Sequence, residues 1–215
     1  DKEKNYTNCT DENQHGGFLF GMGLIKALDN LSSTDIYQYM KYAHEAITIG
    51  ILLGRAVSKI STMEEAMSRT NCLHLSYLIP SSLEISIPLN VQCASVFSLG
   101  LIYQSTCNRI MSEVMINQIG KKIHFEKTSP QNSINMMESY NLCVGFSIGL
   151  INLGLGEMSK IRNEDLRLEE NMLKFVDNND RRINSNCTNN NNCNNGIGNY
   201  LFSLFLFIYF LLEKS

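Results

Sequence analysis

The run from Asn90 to Gly120 is apolar on nearly every side in its first half and on one side only in its second. Val91, Ala94, Val96, Phe97, Leu99 and Gly100 predict a buried helix, entered just after Pro88. Ser105 to Asn108 make a polar break. Ile110, Met111, Val114, Met115 and Ile119 then return at helical spacing, with Gly120 as a stop. The second helix keeps a wet face and belongs on the outside. One such hairpin cannot bury its own inner helix, but the chain supplies like neighbours. The pattern small-x-x-x-Gly recurs as Gly17–Gly21, Gly50–Gly54, Val96–Gly100 and Gly145–Gly149. Its last glycines step by 33 (54 − 21), 46 (100 − 54) and 49 (149 − 100). Periods in that range mark solenoids and arrays. A glycine inside a helix costs roughly 1 kcal/mol against alanine. Its repetition at one register therefore points to packing, because backbones approach closely where a side chain is missing. The expected fold is all-α, a superhelix or toroid of helical hairpins. Gly17, Gly21, Gly50, Gly54, Gly100, Gly145 and Gly149 are its expected inner-helix contacts.

The flanking pattern fills in the order. Residues 1–14 are polar and read as a loop, and His15 reads as a helix-start residue that opens the first glycine helix. Thr34 is the expected N-cap of the next helix, with Asp35 in its first turn. Ile47 to Ile60 form the second glycine helix. Arg55 stands out there and is expected at an edge or paired with Glu64 or Glu65. Ser61 or Thr62 should cap the following helix, with Met63, Met67 and Leu73 as its inner stripe. Pro80 to Pro88 is a non-helical link. Lys121 to Asn135 is polar with Pro130 as a breaker, and Met136 to Leu155 is the fourth glycine helix. The solenoid is thus expected over 15–156. A charged segment (157–175), an asparagine-rich tract expected to be disordered (176–199) and an apolar end (200–215) follow it.

Composition narrows the chemistry. The net charge is −3 and charged residues make up 18%, so nothing points to nucleic acid. The seven cysteines form no CxxC. Cys93, Cys107 and Cys143 read as small hydrophobes in apolar helices, which suits a reducing compartment. Cys187 and Cys193 lie in the asparagine tract without a histidine, so no metal is expected there. His44-Glu45 opens like a zinc HExxH motif, but position 48 is threonine. Sequon matches at Asn5, Asn8, Asn30 and Asn186 carry little weight in an asparagine-rich chain. No nucleophile elbow, phosphate loop or acid–base cluster occurs, so no catalytic residue, cofactor or small-molecule substrate is expected. Tyr200 to Leu212 is apolar but spans only about 20 Å as a helix, too short to cross a membrane. Arg55, Gln92, Asn108 and Asn141 also argue against lipid around the glycine helices. The chain begins at Asp1 and reads as a piece of something longer.

Four blocks carry a resemblance. HGGFLFGMGL (His15 to Leu24), YQYMKYAHEAITIGILLG (Tyr37 to Gly54), the stretch Ile87 to Gly120 and ESYNLCVGFSIGLINLGLG (Glu138 to Gly156) resemble subunit 1, the largest, of the anaphase-promoting complex or cyclosome. They are similar to its proteasome/cyclosome (PC) repeat region, over about Gln14 to Gly156. The two large base subunits of the proteasome regulatory particle share the repeat, but the order of all four blocks favours the cyclosome subunit. Ser105 stands where that family usually has glycine, and the asparagine tract has no counterpart in its pattern. The resemblance implies a non-catalytic scaffold in a cell-cycle ubiquitin ligase, present in nucleus and cytoplasm and contacting other subunits of the complex. Glu113 and Lys121, on or beside an outer helix, are its candidate partner contacts. The alternatives are a proteasome regulatory-particle subunit that binds ubiquitin-like shuttles, or a membrane-associated helical protein.

Overall fold

The structure, a computed structural model, describes residues 9–41, 44–79, 86–119 and 130–154. The described elements are helices: α1 Cys9–Leu24, α2 Ser33–Lys41, α3 Glu45–Ser58, α4 Glu65–Cys72, α5 Leu89–Ile102, α6 Arg109–Ile116 and α7 Pro130–Ile151. Two 3-10 turns, Ala27–Asn30 and Ser76–Leu78, lie between them. No strand occurs among the described residues, so the fold is all-α. The chain divides into two compact units at Ile102/Tyr103.

In the first unit α3 is the central element. It packs on α1, on α5 and, more lightly, on α2 and α4. Ile47, Gly50, Ile51, Leu52, Gly54, Ala56 and Ser58 are all buried, which leaves little of α3 to solvent. α5 is buried on almost every side, through Val91, Ala94, Val96, Leu99, Gly100 and Ile102 and the polar Gln92, Ser95 and Ser98. Its apolar composition made that burial readable. In the second unit α6 packs on α7. Met111, Ser112 and Met115 turn inward on α6, while Arg109, Ile110 and Glu113 are exposed.

Several boundaries differ from expectation. α1 starts at Cys9, so the helix takes in part of the polar stretch read as a loop. His15 lies inside α1, exposed and edge-on to Tyr39 with ring centroids 5.7 Å apart. α2 is capped by Ser32 rather than Thr34. The Ser32 hydroxyl accepts from the Asp35 amide at 3.2 Å, and the Asp35 carboxylate accepts from the Ser32 amide at 3.1 Å. This reciprocal pair is a capping box, and its serine lies two residues ahead of the threonine. Neither Ser61 nor Thr62 caps α4, whose N-cap is Glu64 without a side-chain bond. Pro130 opens α7 instead of breaking a loop, as its fixed φ and missing amide suit the first helical turn. Asn108, in the stretch read as a polar break, caps α6, its side chain accepting from the Met111 amide at 3.0 Å.

The inner stripe of α4 is also shifted. Met67 is buried, but Met63 and Leu73 are exposed, and Asn71 and Leu75 take the inward positions instead. Met67 and Asn71 stand one turn apart on α4 and Leu75 is buried just beyond its end, so the inward set includes a polar residue that an apolar pattern omits. Asn71 meets its own needs: its side-chain amide donates to the Met67 carbonyl at 2.9 Å. The Ser95 hydroxyl of α5 donates to the Asn71 carbonyl at 2.5 Å. Arg55 pairs with neither Glu64 nor Glu65. Lys59 takes Glu64 at 3.8 Å and Asp29 at 3.7 Å, and Arg69 takes Glu65 one helical turn away. Cys107 is buried, but in the turn after α5 rather than in a helix. The charged segment, the asparagine tract, the apolar Tyr200–Leu212 and residue Lys121 all lie outside the described residues.

Candidate functional site

Two arrangements are built with care: the face where α1 meets α3, and a turn that occurs twice. At the first, Gly50 and Gly54 of α3 are buried. A Cβ placed on Gly50 would run into the Gly16 carbonyl, and one on Gly54 would lie 3.0 Å from the Leu19 carbonyl oxygen. From the other side, a Cβ on Gly16 would strike the Ala46 carbonyl, and one on Gly23 would strike the Gly54 backbone. α1 and α3 therefore meet backbone to backbone. Gly17 and Gly21 do not take part, since a Cβ on either meets nothing within 4 Å. In α1 the contact belongs to Gly16 and Gly23, seven residues and about two turns apart, on the face turned away from Gly17. Gly100, Gly145 and Gly149 are buried.

The second arrangement follows from a repeat. α5 and α6 begin 44 residues after α3 and α4 (89 − 45, 109 − 65) and have the same lengths. Ser61 and Met63 follow α3 with φ of 61° and 53°; Ser105 and Cys107 follow α5 with φ of 57° and 48°. The Ser61 and Met63 amides donate to the carbonyls of Leu101 and Ile102 at 3.2 and 3.1 Å. The Ser105 and Cys107 amides donate to those of Leu150 and Ile151, both at 2.9 Å. Between each pair a threonine closes the turn, Thr62 donating to the Lys59 carbonyl and Thr106 to the Tyr103 carbonyl at 2.8 and 2.7 Å. Each turn thus clips onto the last two residues of the next inner helix.

This pair was not singled out from the sequence, although the Ser-Thr dipeptide at 61–62 and 105–106 was a signal. The left-handed region costs a non-glycine residue about 1–2 kcal/mol. Ser105, at φ 57°, carries that cost, which glycine would not. Ser105→Gly should raise stability by about 0.5–1 kcal/mol, because relief of that strain exceeds the added freedom of the unfolded chain. A thermal unfolding midpoint at or below that of the unsubstituted chain would contradict it.

No group of three or more histidine, cysteine or acidic side chains gathers to hold a metal among the described residues. Burial raises the Cys72 thiol above its ordinary pKa, which disfavours the reactive thiolate. No helix among the described residues is long and apolar enough to cross a membrane. Of the candidate partner contacts, Glu113 is exposed on α6 beside exposed Ile110.

Inner helices in backbone contact, tied by a recurring turn at a 44-residue offset, define an α-helical repeat protein. Residues 65–206 match the family model of the APC1 fifth domain, and residues 2–60 match that of the APC1 fourth domain. The chain is 34% identical to anaphase-promoting complex subunit 1 of Homo sapiens over 172 residues, 80% of this chain and 9% of that protein. It is 36% identical to the Schizosaccharomyces pombe protein of the same name over 66% of this chain and 9% of that protein. It is 33% identical to the negative regulator of mitosis of Emericella nidulans over 75% of this chain and 8% of that protein. The chain belongs to the anaphase-promoting complex subunit 1 family, and spans less than a tenth of the length of these relatives. The fifth-domain match runs past Gly156, where the resemblance read from sequence ended, and across the asparagine tract that had been set outside the family pattern. The two matches divide between residues 60 and 65, at the first clip. Both contribute helices to the first unit, where α3 packs on α1 and on α5.

Proposed function

We propose that this chain is part of a non-catalytic scaffold in the anaphase-promoting complex, a cell-cycle ubiquitin ligase, working in nucleus and cytoplasm. Membership of the subunit 1 family is the observation that carries the reading. The helical repeat supports it physically: stacked inner helices with clipped ends make a stiff superhelix or toroid, and such solenoids present long surfaces to partners. In this reading the buried polar pairs serve rigidity. Ser95 with Asn71 ties α5 to α4, and the Tyr140 hydroxyl, donating to Gln118 at 3.1 Å, ties α7 to the turn after α6. The outer helices α4 and α6 and their adjoining turns meet neighbouring subunits, with Glu113 among the contacts. Lys121 is proposed beside it on sequence grounds alone.

Affinity purification of the tagged full-length subunit from its own cells tests this. The expected result is recovery of other anaphase-promoting complex subunits. Recovery of proteasome subunits or ubiquitin-like shuttles in their place would overturn it. Glu113→Lys in the same protein should lower recovery of neighbouring subunits several-fold at unchanged thermal stability, since reversing a charge at an interface repels its partner. Full recovery with this variant would remove Glu113 from the contact set.

A further inference from the structure

Leu99 and Ile148 hold the same place in their helices, three residues before the ends of α5 and α7 at Ile102 and Ile151. Both are core residues, 0% and 3% exposed. The clips fix that register, since each takes the last two carbonyls of its helix. Three residues before the end of α3 at Ser58, the same place holds Arg55. It is half-buried, and its Nε is buried without a hydrogen-bond partner among the described residues. The acids nearby are already engaged. Asp29 accepts from the Ser58 hydroxyl at 3.0 Å, and Lys59 pairs with Asp29 and Glu64 at 3.7 and 3.8 Å. The other acidic side chains described in this unit have partners too: Glu12 has His44, Asp35 has Ser32, Glu45 has Asn90 and Glu65 has Arg69. Arg55 forms no ion pair among the described residues.

A guanidinium with a buried, unpaired donor is costly to a fold, and the other two inner helices show that an aliphatic side chain suits this register. We propose that Arg55 is a binding residue, and that its partner is a carboxylate presented by an acidic side chain of a neighbouring protein subunit. Charge argues for that occupant. One guanidinium matches one carboxylate, whose two oxygens fit the planar fork. A phosphate dianion fits less well, because Lys59, one turn on, is already bound between Asp29 and Glu64, whose charges repel a dianion. The inference rests on the scaffold reading and deepens it. It places a partner contact on the inner helix α3 and names the chemistry that recognises it.

Arg55→Leu in the full-length subunit tests this with two readouts. The thermal unfolding midpoint should rise by about 2–4 °C, since an apolar side chain replaces an unpaired charge. Recovery of at least one neighbouring ligase subunit by affinity purification should fall about tenfold, since a charged hydrogen bond across the interface is lost. Arg55→Gln, which keeps polarity without charge, should lose recovery in the same way. Full recovery with either variant would overturn the proposal. So would a lower midpoint with Arg55→Leu, because the guanidinium would then be satisfied within its own chain. Millimolar inorganic phosphate should leave the midpoint of the unsubstituted subunit unchanged. A rise that Arg55→Leu abolishes would give the site to phosphate and overturn the carboxylate. Failure of the unsubstituted subunit to recover any ligase subunit would instead strike the scaffold reading, and the unfolding midpoints would still judge the unpaired charge.

Discussion

Gly54→Leu should cost the fold about 3 kcal/mol, at the upper end for overpacked cores. The first atom added, Cβ, would already lie 3.0 Å from the Leu19 carbonyl oxygen, 3.3 Å from Phe20 Cα and 2.9 Å from a Leu28 methyl. Two of those neighbours are backbone of α1 and cannot swing away, so the helices must separate and lose contact along the Gly16–Gly23 face. Against a total stability of roughly 5–15 kcal/mol, this is a large fraction. Denaturant unfolding of the chain measures it, and an unshifted midpoint would sink the backbone-to-backbone account. Gly21→Ala is the matched control. A Cβ at Gly21 meets nothing within 4 Å, so the substitution should gain up to about 1 kcal/mol from helix propensity alone.

Leu75→Ala should destabilise by about 2–4 kcal/mol, while Leu73→Ala, two residues away, stays within about 0.5 kcal/mol. Leu75 is 0% exposed and Leu73 is 68% exposed. Truncating Leu75 leaves a cavity lined by a core that has already packed, whereas Leu73 leaves only water. Equal losses at the two sites, measured by the same unfolding midpoints, would mean that the inward stripe of α4 follows Met63, Met67 and Leu73 after all.

The difference between these two leucines shows what the sequence could disclose. Long apolar runs such as that of α5 announced their own burial, and the small-x-x-x-Gly pattern announced close contact at Gly50 and Gly54. Phase was harder. In α1, Gly16, Gly17, Gly21 and Gly23 lie within eight positions, and spacing alone cannot say which of them turns toward α3. On α4 the inward stripe runs through Asn71, which a search for apolar residues passes over because its amide is satisfied within its own helix. Caps were misplaced by two or three residues: Ser32 and Thr34 are both competent hydroxyls, and at α4 the N-cap is Glu64 rather than Ser61 or Thr62. The clip was legible least of all. It is made by main-chain atoms, and its side chains are serine, methionine and cysteine in a conformation that none of them favours.

Main-chain joints have an evolutionary corollary. Because both donor and acceptor are peptide groups, the joint survives substitution of the residues that form it, provided each can be held in the left-handed shape. It is also indifferent to spacing along the chain: the inner-helix ends lie 44 residues apart at one joint (102 − 58) and 49 at the next (151 − 102), with the same bonds at both. Length can therefore drift on the outer path between inner helices while the same two bonds close each joint.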